Sequence, residues 1–147
     1  EKFAAAEIIT YDKGKIGFIF ADIGDIYIKR KSHVHRDLIM KVVSNLYNPT
    51  AVVSGSMYID MTLMQKEDTV MINLVNSAGS HDDQDVYTID EIPPVGPIVL
   101  MVKLDKKPKT VNLIPSHMKV ESGWNDNEKL LTVKIPRIDI YEILVID

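Results

Sequence analysis

The most ligand-like grouping in the 147-residue chain is His81-Asp82-Asp83, with Asp85 close behind. An imidazole beside carboxylates supplies metal donors, and oxygens at this spacing could hold calcium loosely. The spaced acidic pattern of an EF-hand loop is missing, so a polar loop is the competing reading. His33 and His35 are two positions apart. On a helix they diverge and cannot grip one metal as an i, i+4 pair would. Asp90-Glu91 stand just before Ile92-Pro93-Pro94. Glycosidic cleavage needs two carboxyl groups flanking the bond, several ångströms apart. Neighbouring side chains on an extended backbone point to opposite faces, so this pair reads as capping or ion-pairing groups. Trp124, the sole tryptophan, reads first as buried in a core or interface, with stacking on a sugar ring as the alternative. Ser54-Gly55-Ser56 lacks the Gly-x-Ser-x-Gly frame of a nucleophile elbow. No phosphate-binding glycine loop is present, and no cofactor is expected. With no cysteine, disulfides, thiolate metal sites and cysteine catalysis are excluded.

The elements that position these residues are mainly strands. Residues 7–11 and 15–20 are apolar and β-branched or aromatic around Asp12-Lys13-Gly14, which predicts a hairpin with Gly14 available for positive φ. Residues 21–29 read as a loop and a short extended piece. Ser32 offers an N-cap oxygen to an amphipathic helix whose stripe is Val34, Leu38, Val42 with Ile39, Val43, Leu46. Asn48-Pro49 ends it. This is the one helix expected. Beyond Pro49 the period becomes two. Residues 57–64 and 70–75 form a second hairpin across Lys66-Glu67-Asp68, and residues 86–89 form a short edge strand. Residues 90–97 form a stiff, extended crossover. Further strands are expected at 98–103, 110–113, 119–121, 130–135 and 138–146. Pro136 marks a bend where the chain could change sheets, or a bulge on an edge. The spacing predicts an immunoglobulin-like antiparallel β-sandwich over residues 51–147, preceded by a hairpin and one helix over 1–50.

Composition sets outer limits. The chain is 46% apolar and 26% charged, globular averages that argue against wholesale disorder. A net charge of −4, without basic patches interleaved with aromatics, excludes a nucleic-acid platform. The apolar runs are far below the ~20 residues of a membrane helix, and no membrane partner is expected. The chain opens on Glu1 rather than Met, which suggests a piece of something longer.

Four strings carry a family resemblance. They are Asn73-Leu74-Val75-Asn76 followed by Asp90-Glu91-Ile92-Pro93-Pro94-Val95-Gly96-Pro97, then Pro108-Lys109-Thr110-Val111, then the segment 135–143 beginning Ile135-Pro136-Arg137. Together they resemble the C-terminal end of bacterial glycoside hydrolases of the β-galactosidase type. In that group a (β/α)₈ barrel precedes an amidotransferase-like trimerisation domain and a terminal β-sandwich. The first 50 residues, with Gly14-Lys15-Ile16, Asp22-Ile23-Gly24 and Arg36-Asp37-Leu38-Ile39, are similar to the last strands and helix of the trimerisation domain. The resemblance implies a non-catalytic accessory region, because the family's two catalytic glutamates lie in the barrel and match nothing here. It implies docking of Asp90, Glu91, Ile92, Pro93 and Pro94 on the rest of a parent enzyme. A homo-oligomer is a further partner it allows, and a cytoplasmic bacterial origin fits the zero cysteine count. The alternative to this reading is a carbohydrate-binding β-sandwich module, with Trp124 as its stacking residue and a carbohydrate as partner. It also implies an exposed apolar face on Ile16, Phe18 and Phe20 or on the helix stripe.

Overall fold

A computed structural model describes residues 4–30, 32–79 and 91–147. The strand expected at 86–89 lies outside the described residues. The chain divides into two compact units, Glu1–Pro49 and Thr50–Asp147.

In the first unit, β1 (Ala6–Tyr11) and β2 (Gly14–Ile19) pair antiparallel, with Tyr11 opposite Gly14. The two-residue turn is Asp12-Lys13. Asp12, not Gly14, takes the positive φ, at 50°. Aspartate tolerates this conformation because its short polar side chain bonds locally. The segment expected to be loop and extended chain instead contains a helix, α1 (Ile23–Arg30). Its isoleucines and Gly24 read locally as non-helical. Yet Ile23, Ile26 and Tyr27 fall at i, i+3, i+4 and form its less exposed face. Lys29 Nζ lies 2.7 Å from Asp25 one turn earlier, an i,i+4 pair with the acid N-terminal.

α2 (His33–Leu46) follows where the apolar period predicts a helix. Ser32 occupies the N-cap position, and its carbonyl accepts the Arg36 N–H at 3.3 Å. Its hydroxyl makes no capping bond, against the expectation for that residue. Only part of the expected stripe is covered. Val42 is buried and Leu38 and Ile39 half-buried, while Val34, Val43 and Leu46 stay exposed. The helix meets the hairpin at Gly17, where a Cβ would come within 2.7 Å of Val42 Cγ1 and 2.8 Å of Leu46 Cδ1. Register puts Ile8 opposite Gly17, on that same face of the hairpin. Ile9, Ile16 and Phe18 therefore point to the opposite face.

The second unit is an antiparallel β-sandwich. One sheet has the order β4 (Ile59–Lys66), β5 (Thr69–Asn76), β10 (Tyr141–Ile146), β7 (Val111–Ile114). The other has β3 (Ala51–Ser54), β6 (Ile98–Lys103), β9 (Leu130–Ile135), β8 (Glu121–Asn125). The architecture is immunoglobulin-like with its own strand order, the last strand lying between β5 and β7. β3 and the later start of β8 depart from the sequence expectation. Ala51–Ser54 is short and flanked by Ser54-Gly55-Ser56, which hides its alternation. Inward residues alternate along every central strand: Ile72 and Leu74, Ile98 and Leu100, Val133 and Ile135 are all fully buried. The break at Pro136 is the sheet change it suggests, with β9 before it in one sheet and β10 after it in the other.

Candidate functional site

The crossover 91–97 is fastened to the sandwich by one buried amide. Asn76 ends β5 on its inward face, after Ile72 and Leu74, and is 5% exposed. Its Nδ2 donates to the carbonyls of Asp139 at 2.7 Å and Pro93 at 2.9 Å, with a longer approach to Ile138 at 3.4 Å. Its Oδ1 accepts the Ala78 N–H at 2.9 Å, and its own N–H donates to Ile140 at 2.8 Å. The group is thus satisfied on both sides, as a buried amide must be. Val95 and Ile138 exchange two main-chain bonds, of 2.9 and 2.8 Å. Gly96 between them has φ 154°, and a Cβ there would sit 2.4 Å from the Pro136 carbonyl oxygen. No other residue fits that approach.

This clamp leaves an outward ridge. Glu91, Pro93 and Pro94 are exposed and Ile92 is half-buried. Asp90 lies outside the described residues, as do His81, Asp82 and Asp83. Below the ridge, Arg137 and Asp139 form a two-pronged ion pair, Nε to Oδ1 at 2.6 Å and Nη2 to Oδ2 at 3.0 Å. The hydrogen bond from Arg137 holds the Asp139 carboxyl below the ordinary aspartate range, and the guanidinium is raised in turn. Both side chains are largely exposed, so this pair adds little to stability.

Trp124 is half-buried on β8 and packs against the core cluster. Its indole N–H donates to Asp126 Oδ1 at 2.7 Å. His33 is exposed and His35 half-buried on α2, diverging as the spacing predicts. Among the described residues no group of three or more His, Asp or Glu side chains is placed to hold a metal.

Sequence reasoning did not single out two polar residues. Asn76 entered only as part of a resemblance string. Glu142 occupies the inward position that Leu144 and Ile146 continue, is 5% exposed, and accepts the Ser116 N–H at 3.5 Å. The available signal was a carboxylate in phase with a buried stripe.

A cleft of about 520 Å³ opens at one end of the sandwich. Its apolar floor comes from both sheets: Leu63 and Val70 from β4 and β5, Val102 from β6, Ile146 from β10. Its rim is charged, with Asp68, Asp105, Glu128 and Asp147 set among Lys103, Lys106 and Lys129. Lys106 Nζ lies 3.2 Å from Asp68 Oδ1. Trp124 is not part of the lining.

No family model matches the chain, and no curated protein matches it. Solved structures do. α-L-Fucosidase isoenzyme 2 from Paenibacillus thiaminolyticus superposes with a TM-score of 0.74 at 14% identity, over 95% of this chain and 21% of that one. A cycloisomaltooligosaccharide glucanotransferase from Paenibacillus sp. aligns with a TM-score of 0.42 at 12% identity, over 76% of this chain and 20% of that one. The chain therefore spans about a fifth of the length of each of these enzymes. At such identity the first likeness is one of fold: hairpin, helices and sandwich together recur as a small part of a sugar-cleaving enzyme's chain.

Proposed function

We propose that this chain is the non-catalytic C-terminal accessory region of a glycoside hydrolase of β-galactosidase-like organisation. The observation that carries this reading is the fold match to the fucosidase over nearly all of this chain and about a fifth of that one. The first unit supports it. A two-stranded sheet is marginal by itself, and this one leaves Phe18 and Phe20 stacked on an exposed face, ring centroids 6.3 Å apart. Such a face suits burial by further strands of a preceding α/β domain. The ridge Glu91, Ile92, Pro93 and Pro94 is the surface proposed to dock on the parent enzyme. Its rigidity lowers the ordering cost of that contact.

The test is an activity assay on the 147-residue chain against a panel of aryl glycosides, including an aryl α-L-fucoside. No turnover above buffer is expected. Enzyme-like turnover that survives repurification would overturn the non-catalytic role.

A further inference from the structure

We infer that the cleft at the end of the sandwich is a binding site for a small, neutral, hydroxyl-rich ligand of the sugar or polyol class. Its volume of about 520 Å³ is in the range of small-molecule sites. The charges on its rim nearly balance: four carboxylates from Asp68, Asp105, Glu128 and Asp147 stand among three ammonium groups from Lys103, Lys106 and Lys129. Opposite charges on one rim largely offset each other, so neither an anion nor a cation meets a strong net attraction there. A hydroxyl is both donor and acceptor, so it suits a rim that combines acceptor-only carboxylates with donor-only ammonium groups. The floor of Leu63, Val70, Val102 and Ile146 offers an apolar surface to the C–H face of a ring.

Much of this rim is already held in place. Asp147 accepts the hydroxyls of Thr69 at 2.7 Å and Thr110 at 3.1 Å. Glu128 Oε2 accepts the side-chain amide of Asn125 at 3.1 Å. The Leu104 N–H donates to the Lys129 carbonyl at 3.0 Å, tying the loop after β6 to the β8–β9 turn. Lys129 itself is kept at φ 51°, a costly conformation for lysine. Acceptors fixed before binding need no further ordering. Among the described residues the lining contains no aromatic side chain, so affinity comes from hydrogen bonds and is modest, with Kd about 1 mM.

The inference rests on the cleft's own chemistry and not on the parentage proposed above, so either stands if the other falls. The experiment is amide NMR on the intact 147-residue chain, titrated separately with D-galactose, D-glucose, L-fucose, inorganic phosphate and calcium chloride. At least one sugar should give saturable shifts confined to the amides of Leu104, Asp105, Lys106, Glu128 and Lys129. Asp105→Asn should weaken that binding about tenfold, the loss of one charge-assisted hydrogen bond. Lys129→Gly removes a rim ammonium while relieving its backbone strain, so it should weaken binding in a chain that is folded at least as well. No saturable shift with any of the sugars would overturn the inference. So would saturation by phosphate or calcium alone, or unchanged sugar binding in both variants.

Discussion

Among single residues, Asn76 holds the most distant parts of the second unit together. Its side chain reaches the crossover through Pro93 and the link before β10 through Asp139, from a position otherwise occupied by Ile72 and Leu74. Replacing it by alanine strands two carbonyls and the Ala78 N–H. Asn76→Ala should cost about 2–4 kcal/mol in denaturant unfolding of the second unit, well beyond the ~1 kcal/mol of an ordinary hydrogen bond. Val95 and Ile138 amides should lose exchange protection first, because their two mutual bonds are next to the removed anchor. A loss below about 1 kcal/mol would mean that water or relaxation replaces the amide. The role of Asn76 was not legible in its own neighbourhood. Its partners lie 17 and 63 residues away in the chain, and local spacing carries no information about them.

At the scale of elements, most of the strands and α2 follow from alternation and the helical period, while β3 and α1 do not. The eight residues of α1 are too few for an apolar period to stand out, and β-branched isoleucines favour strands by propensity. Packing against α2 and the i,i+4 ion pair override that preference. The contact of α2 with the hairpin depends on Gly17 having no side chain. Gly17→Ala should lower the stability of the first unit by about 1–3 kcal/mol, since Val42 is a stiff neighbour that yields poorly. Hydrogen exchange of β1 and β2 amides should accelerate while β5 and β10 keep their protection. Gly24→Ala is the control: nothing lies within 4 Å of its Cβ position, and it should be neutral or stabilising by up to about 1 kcal/mol. Equal effects of the two substitutions would refute the packing argument.

For the whole molecule, the contrast between the units is one of covered and uncovered apolar surface. The sandwich buries its stripes between two sheets. The hairpin leaves Phe18 41% and Phe20 60% exposed, on the side facing away from α2. If that face is a docking surface, Phe18→Ser with Phe20→Ser should reduce fluorescence of a bound hydrophobic dye and raise solubility. Unfolding of the second unit should stay unchanged. Undiminished dye binding would place the sticky surface elsewhere.

The exposed hairpin face was implied only by the resemblance, whereas strand content, the α2 helix and the positions of the hairpin turns were legible in the sequence. Each depends on residues a few positions apart, where period, turn chemistry and proline act directly. The resemblance strings pointed toward a sugar-cleaving enzyme, and the fold match bears on that at the level of architecture. Tertiary structure alone decided that β10 sits between β5 and β7 and that Asn76 clamps the crossover. It alone showed Trp124 lying against the core and four acids and three lysines meeting around one cleft. Those residues are separated by tens of positions. Only the pairing of two sheets, driven by burial of their alternating apolar faces, brings them within reach of one another.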